Sequence, residues 1–187
     1  MSELPPGPFS LIYADCPWTF VTRTTKGRGR CPDGRGHYGV MTLDDIKALP
    51  VSDICTSNAV LALWAVNPML PQAFAVMAAW GFGYRSCHTW AKRTSTGRCW
   101  AFGTGYWFRS TTEHLLIGVR GHWRPRNRRT RSLTESPIRE HSRKPDEIRD
   151  MLVDLVGDVA RVELFARTAA PGWSAWGDQV GVLDPAA

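Results

Sequence analysis

The sequence predicts an α/β fold in which a mostly parallel sheet is covered by helices on both faces. Short apolar runs of strand type alternate along the chain with segments of helical periodicity, the pattern of parallel α/β sheets. The run Ala59-Val-Leu-Ala-Leu-Trp-Ala65 is apolar at every position, as in a central strand buried on both sides. With 187 residues, 43% of them hydrophobic, residues 1–187 read as a single domain. A chain of that size buries roughly 70% of its unfolded surface.

Phe9-Ser-Leu-Ile-Tyr-Ala14 is the first strand, ended by Asp15-Cys16-Pro17-Trp18. Residues 19–37 are rich in Gly, Arg and Thr without periodicity and read as a long basic loop carrying Arg23, Lys26, Arg28, Arg30 and Arg35. Thr42 caps a short helix that runs to about Leu49, with Asp45 three residues on as in a capping box. Pro68 opens a second helix, in which Leu70, Phe74, Met77 and Ala78 recur at helical spacing, and Gly81 stops it. A strand from Tyr84 to Trp90, a polar Gly-rich loop over 93–111 and a strand from His114 to Val119 follow. Residues 120–144 form a second basic loop, with nine cationic side chains against Glu135 and Glu140. Pro145-Asp-Glu begins a helix with acids in its first turn and Ile148, Met151, Leu152 and Leu155 on one face, ended by Gly157. Arg161-Val-Glu-Leu-Phe165 is a last central strand. Ligands of such sheets bind beyond the carboxyl ends of the strands, where the loops starting at Asp15, Asn67, Ala91 and Arg167 lie.

The formal charge is +6, and its 23 cations are 19 arginines and four lysines. Arginine binds phosphate through a planar fork and stacks on bases, which suits a nucleic-acid partner; a GC-rich genome enriches arginine as well. No stretch approaches the roughly 20 apolar residues of a membrane span, and residues 1–10 lack a signal-peptide pattern, so a cytoplasmic protein without a membrane partner is expected. Cys16, Cys31, Cys55, Cys87 and Cys99 contain no CxxC pair and fit reduced thiols. Cys31, His37, Cys87 and His88 lack the paired spacing of structural zinc ligands, and no metal is expected. Gly103-Thr-Gly105 is followed by no G-K-[ST], and the chain has no G-x-S-x-G, no H-E-x-x-H and no H-x-E with P-C-x-x-C.

Asp15-Cys16-Pro17-Trp18, directly after a strand, is the most informative segment. A carboxylate at a strand tip, a proline that stiffens the turn and a large aromatic plane can hold a flat heterocycle bearing an amino group. The exocyclic amine of adenine is a poor nucleophile because its lone pair is delocalised into the ring. If Asp15 and the carbonyl of Cys16 or Pro17 accept its two N–H bonds, the nitrogen is drawn toward a tetrahedral shape and its lone pair turns toward an electrophile. Trp18 would then stack on or beside the base. The plain alternative is a surface turn with a partly buried tryptophan.

The segment is one of eight that stand in register across the chain. Asp15-Cys16-Pro17-Trp18 stands in place of D-P-P-W, and His37-Tyr38-Gly-Val-Met-Thr42 in place of Y-G-x-M-[ST]. Ala62-Leu-Trp64, Trp90-Ala-Lys92, Glu113-His-Leu-Leu-Ile-Gly-Val119, Arg143-Lys144-Pro-Asp-Glu-Ile148, Glu163-Leu-Phe-Ala-Arg167 and Trp176-Gly-Asp178-Gln179 follow in order. In these the chain resembles the MT-A70-like family of N6-adenine methyltransferases. The resemblance implies a Rossmann-like methyltransferase sheet in which the catalytic motif precedes the cofactor motifs, with S-adenosylmethionine as methyl donor. It implies catalytic roles for Asp15, Cys16, Pro17 and Trp18, and a cofactor role for Lys144, matched to the lysine that meets the methionine carboxylate. Glu163, Arg167, Asp178 and Gln179 match residues around the cofactor's ribose and adenine, and Tyr38, Trp90 and Lys92 match positions lining the active-site cleft.

On the residues alone, plainer roles stay open: a solvated Lys144, a strand-end salt bridge between Glu163 and Arg167, a surface amide at Gln179, and an inward-facing Trp90. Three departures from the family pattern stand out. Cys16 replaces a proline, Asp178 stands where the family often has Asn, and Thr168-Ala-Ala-Pro171 lacks polar side chains that some relatives place near the cofactor. The two basic loops are expected to follow a phosphate backbone, with Arg126, Arg128 and Arg129 as substrate contacts. DNA is favoured over RNA because short single-domain relatives are commonly phage or bacterial DNA enzymes, and a homo- or hetero-dimer is compatible. The alternatives are a catalytically silent subunit that binds nucleic acid or supports a partner, and an enzyme acting on another conjugated amine such as cytosine N4.

Overall fold

The computed structural model describes residues 3–18, 41–105, 107–140 and 142–184. Its centre is a parallel pair, β1 (Phe9–Ala14) and β2 (Cys55–Ala65). β3 (Gly83–Arg93) and β4 (Thr112–Arg120) form an antiparallel pair, and β4 also lies antiparallel to β2. β5 (Leu133–Pro137) joins β3 in parallel, while β6 (Arg161–Leu164) and β7 (Ser174–Trp176) extend the sheet in parallel from β1. The order is β5-β3-β4-β2-β1-β6-β7. Only β4 runs against the rest, so its amino end lies on the edge where the other described strands terminate.

Helices cover both faces. α1 (Leu43–Ala48) and α2 (Leu70–Ala79) pack on the face that receives Ile12, Leu61 and Leu63, through Ile46, Val76 and Met77. α3 (Glu147–Val156) lies on the other face, where Ile148 and Leu152 meet Leu11, Tyr13, Trp64 and Trp90. Alternate residues of β1 serve the two cores, as the two-residue period of a strand requires. Thr42 Oγ1 accepts the Asp45 N–H at 3.1 Å and caps α1. The indole of Trp80 donates to Ile46 O at 2.9 Å and ties the end of α2 to α1. Gly157 ends α3 with φ 111°, a conformation that L side chains rarely adopt.

Three expectations need correction. Phe74 is 41% exposed and meets Tyr84 edge-on, while α2 buries Ala73, Val76 and Met77. Gly118 on β4 admits this rotation: a Cβ there would stand 3.0 Å from Met77 Sδ. Residues 120–144 are not one loop, because they contain β5, and Arg161–Leu164 is followed by the edge strand β7. Both strands are short and pair on one side only, so neither needs the apolar alternation that a sequence pattern reveals. Residues 19–37, including the first basic loop, and Tyr38 lie outside the described residues.

Candidate active site at the carboxyl edge of the sheet

β1 ends at Ala14 and delivers Asp15 to the edge of the sheet. The reversed direction of β4 delivers Glu113 to the same edge, beside Lys92 near the end of β3. Lys144 enters from the segment before α3 and completes a line of alternating charges. Its Nζ donates to Asp15 Oδ2 at 2.7 Å and stands 3.3 Å from Glu113 Oε2. Lys92 Nζ donates to Glu113 Oε1 at 3.0 Å. The Lys144 ammonium also sits 5.5 Å from the centre of the Trp64 ring, whose N–H donates to the Tyr13 hydroxyl at 2.7 Å. Cation, carboxylates and aromatic ring thus hold one another where water is scarce.

A second ion pair lies near Tyr13, whose ring centre is 6.0 Å from the Arg149 guanidinium. Arg149 on α3 grips Glu163 on β6 through two parallel bonds, Nε to Oε2 at 2.6 Å and Nη2 to Oε1 at 2.9 Å. A narrow polar cleft runs between the two charge groups, walled by Tyr13, Asp15, Lys144, Glu163, Phe165 and Arg167. Among the described residues, Ser142 (φ 60°) and Phe165 (φ 61°) are the non-glycine residues with positive φ, and both line this cleft. Backbone held in that region costs on the order of 1 kcal/mol or more, and such residues concentrate at functional sites.

Burial pushes the Asp15 carboxyl above its ordinary range and the Lys144 ammonium pulls against it. Burial acts the same way on Glu113, but Lys144 and Lys92 outweigh it and hold that carboxyl below the usual value. For Lys144, the two carboxylates more than offset the desolvation that would strip its proton. Glu163 is raised by burial despite Arg149. The site therefore contains an ionised lysine, one carboxylate held firmly charged, and two carboxyl groups biased toward protonation.

A protein-family model described as MT-A70 matches residues 9–179. The chain belongs to the MT-A70 family. It is 28% identical over 177 residues to an Arabidopsis thaliana N(6)-adenosine-methyltransferase MT-A70-like protein, a match covering 93% of this chain and 24% of that one. The human N(6)-adenosine-methyltransferase catalytic subunit METTL3 is 27% identical over 96% of this chain and 30% of its own. The type II methyltransferase M.MunI of Mycoplasma sp is 26% identical, with 95% of this chain and 80% of that protein covered. The chain thus spans less than a third of the adenosine-methyltransferase relatives named here and most of the type II enzyme. The mixed sheet with helices on both faces agrees with the Rossmann-like architecture expected of the MT-A70 family.

Within this MT-A70 fold, Asp15, Lys144, Glu163 and Arg167 come together around one cleft, and Lys92 reaches the same edge through Glu113, but several partners differ from those expected. Glu163 pairs with Arg149, not Arg167, because α3 places Arg149 across the carboxylate. Trp18 is 5% exposed and donates its indole N–H to Trp64 O at 3.2 Å, so it anchors the turn in the core and does not present an open face to a base. Cys16 O accepts the Trp18 N–H at 2.8 Å, and Pro17 O the Met41 N–H at 3.4 Å. Trp90 is 3% exposed, edge-on to Trp64, and bonded to Ser136 O at 3.2 Å, the inward-facing role. Asp178 and Gln179 lie in the turn after β7 and are not part of the cleft wall.

Arg126, Arg128 and Arg129 lie away from Asp15. Arg126 N–H donates to Leu155 O at 2.8 Å, in the last turn of α3, while Lys144 precedes the first turn. At 1.5 Å per residue the helix separates them by roughly 12 Å. Arg129, 3.8 Å from Asp154, lies with Arg126 at this far end of α3. Sequence reading passed over Glu113 and Arg149 as site residues. Glu113 stood within a quoted motif, but only the antiparallel course of β4 brings it to the edge where strands normally end.

Proposed function

We propose that this chain is an S-adenosylmethionine-dependent methyltransferase that modifies the N6 amine of adenine in nucleic acid, DNA in preference to RNA. The observation that carries the reading is the Asp15 carboxylate, held at the tip of β1 by Lys144 through Oδ2 alone. Its side chain is 28% exposed, and Oδ1 has no hydrogen-bond partner among the described residues. An ionised carboxylate is a pure acceptor, so Oδ1 can take one N–H of an amino group entering the cleft. The carbonyls of Cys16 and Pro17 each keep a lone pair beyond the backbone bond they already accept, and can take the other. The amine is thereby fixed in orientation, which is where positioning lowers the barrier of a bimolecular transfer. The surplus proton left on the nitrogen can pass to Asp15, whose carboxyl burial has already biased toward protonation.

The residues present fit the methyl donor. Its methionine carboxylate needs cations, and Arg143, Lys144 and Arg167 line the cleft; Arg143 Nε is buried without a hydrogen-bond partner among the described residues. Glu163 keeps acceptor capacity beyond Arg149 for a ribose hydroxyl. When bound, the donor supplies a methyl group already activated on a sulfonium, so the protein's task is orientation and exclusion of water. DNA is favoured because the match to the type II methyltransferase covers 80% of that protein, against 24% of the Arabidopsis relative. A homo- or hetero-dimer remains compatible with this reading, as does a cytoplasmic site of action.

The test is incubation of the purified chain with labelled S-adenosylmethionine and, separately, DNA and RNA, followed by digestion to nucleosides. Label in N6-methyladenine that disappears in Asp15→Ala supports the proposal. No transfer to either polymer, with no cofactor binding by calorimetry, overturns it.

A further inference from the structure

The segment expected as a polar loop over 93–111 joins β3 to β4, and its described residues, 94–105 and 107–111, form a bonded hairpin. Lys92 N–H donates to Thr111 O at 2.8 Å, Ala101 N–H to Lys92 O at 2.8 Å and Gly103 N–H to Ser110 O at 3.1 Å. Arg109 donates to Gly105 O at 3.2 Å across the turn. Two glycines make this closure possible. A Cβ on Gly103 would stand 2.3 Å from Ser110 O, and one on Gly105 1.8 Å from Phe108 O, both inside contact distance of backbone that cannot yield.

On this frame the hairpin holds large rings in solvent. Phe102 is 81% exposed, Phe108 87%, Trp107 86% and Trp100 51%. Soluble monomers rarely expose apolar groups in such a cluster without a binding role. Cations lie among the rings: the Arg93 guanidinium stacks 3.5 Å from the Trp100 centroid and that of Arg109 5.3 Å from Phe102. Residues 94–111 contain Arg98 and Arg109 and no acidic side chain. The hairpin springs from Lys92 and returns at Thr112, next to Glu113, so its base is the ion-pair line that ends on Asp15.

We propose that this hairpin is a stacking platform for unpaired bases of a single-stranded nucleic acid, with Phe102 and Phe108 offering ring faces and Arg98 and Arg109 meeting the backbone phosphates. Exposed rings interleaved with arginine are what unstacked bases recognise, since every base has a π-face; Arg93 itself is paired with Glu135 at 2.7 Å, which leaves Arg98 and Arg109 as the hairpin's own cations. In a duplex those faces are covered by neighbouring base pairs. A purely apolar protein partner would have to desolvate the arginines that lie on the rings. The identity of the ligand rests on the nucleic-acid substrate proposed above; the geometry of the platform does not.

The experiment is fluorescence anisotropy with a labelled single-stranded DNA and the same sequence as a duplex, without cofactor, on wild type, the Phe102→Ala/Phe108→Ala double variant and Phe108→Trp. Circular dichroism melts establish folding, and sedimentation of the same samples gives the oligomeric state. Expected are preferential binding of the single strand, about a tenfold or greater loss in the double variant, near-normal binding by Phe108→Trp, and an unchanged slope of affinity against salt, because stacking releases no counterions. Equal binding by wild type and the double variant, preference for duplex, or a loss that tracks dissociation of a dimer overturns the proposal, the last assigning the rings to a second copy of the chain. Binding is read apart from the labelled-cofactor assay above, so methyl transfer in that assay with undisturbed binding in the double variant removes the platform alone. Normal stacking without any transfer removes the methyltransferase reading alone.

Discussion

Lys144 Nζ donates to Asp15 Oδ2 at 2.7 Å, a bond that closes 129 residues of chain and joins the first strand to the segment before the last helix. Lys144 also faces Glu113, so one ammonium is shared by two carboxylates of different character. Lys144→Met should expose the difference. With the ammonium gone, burial and the Glu113 charge act on Asp15 against Arg167 alone, and its carboxyl should titrate at higher pH than in wild type. Carbon NMR of labelled aspartate reads the midpoint; one that stays put or falls contradicts the geometry. Methyl transfer should drop by about 100-fold or more, within the range that positioned acid–base groups contribute.

Replacing Glu113 works in the opposite sense. Its negative charge raises Asp15, and it competes for Lys144. Glu113→Gln should therefore lower the Asp15 midpoint and move the acid limb of kcat/KM to lower pH. The stability effect has its own direction. Because Lys144 and Lys92 hold the Glu113 carboxyl below its unfolded value despite burial, its contribution is present above that value and is lost as pH falls through the folded one. The stability gap between wild type and Glu113→Gln should shrink on acidification below about pH 4. Urea titrations at a series of pH values check this.

Arg149→Met strands Glu163 in the core without its bidentate partner. Both side chains are nearly buried, 14% and 10% exposed, so the loss should be large, about 3 kcal/mol or more. Adding Glu163→Gln should restore much of it by removing the unpaired charge. A double variant as unstable as Arg149→Met alone would show that the cost lies elsewhere.

Trp90→Phe should lower stability by about 1 kcal/mol through loss of the bond to Ser136 O, while leaving kcat at saturating substrate unchanged. A selective fall in kcat with full stability would return Trp90 to the cleft.

Neutralising Arg126, Arg128 and Arg129 together should leave kcat at saturating nucleic acid unchanged, since α3 separates them from Asp15. Steady-state kinetics with increasing polymer reads this directly. A fall in kcat would mean that the bound strand reaches around the helix to the catalytic edge.

Local signals were legible where local physics decides. Thr42, Gly81 and Gly157 punctuate helices through backbone geometry confined to a few residues, and the strand over Phe9–Ala14 stands where its apolar run predicts. β5 and β7 were not legible, because an edge strand is made by the backbone of its neighbour and leaves little mark on its own side chains. Trp18 illustrates a subtler limit. Its type and place were plain, but whether an aromatic plane faces a ligand or the core depends on Trp64, whose carbonyl takes its N–H from 46 residues away.

The sequence by itself determined the α/β class, the family resemblance, and the strand tip that carries Asp15, since period, turn chemistry and motif order are properties of short segments. Only the tertiary structure decided which charges meet. The reversal of β4 puts Glu113 beside Lys144, α3 turns Arg149 onto Glu163, and the hairpin over 94–111 carries its rings outward from the base of that same ion-pair line. The physical reason is that an ion pair or an exposed ring is a relation between distant parts of the chain, set by strand order and direction. No window of sequence contains both partners.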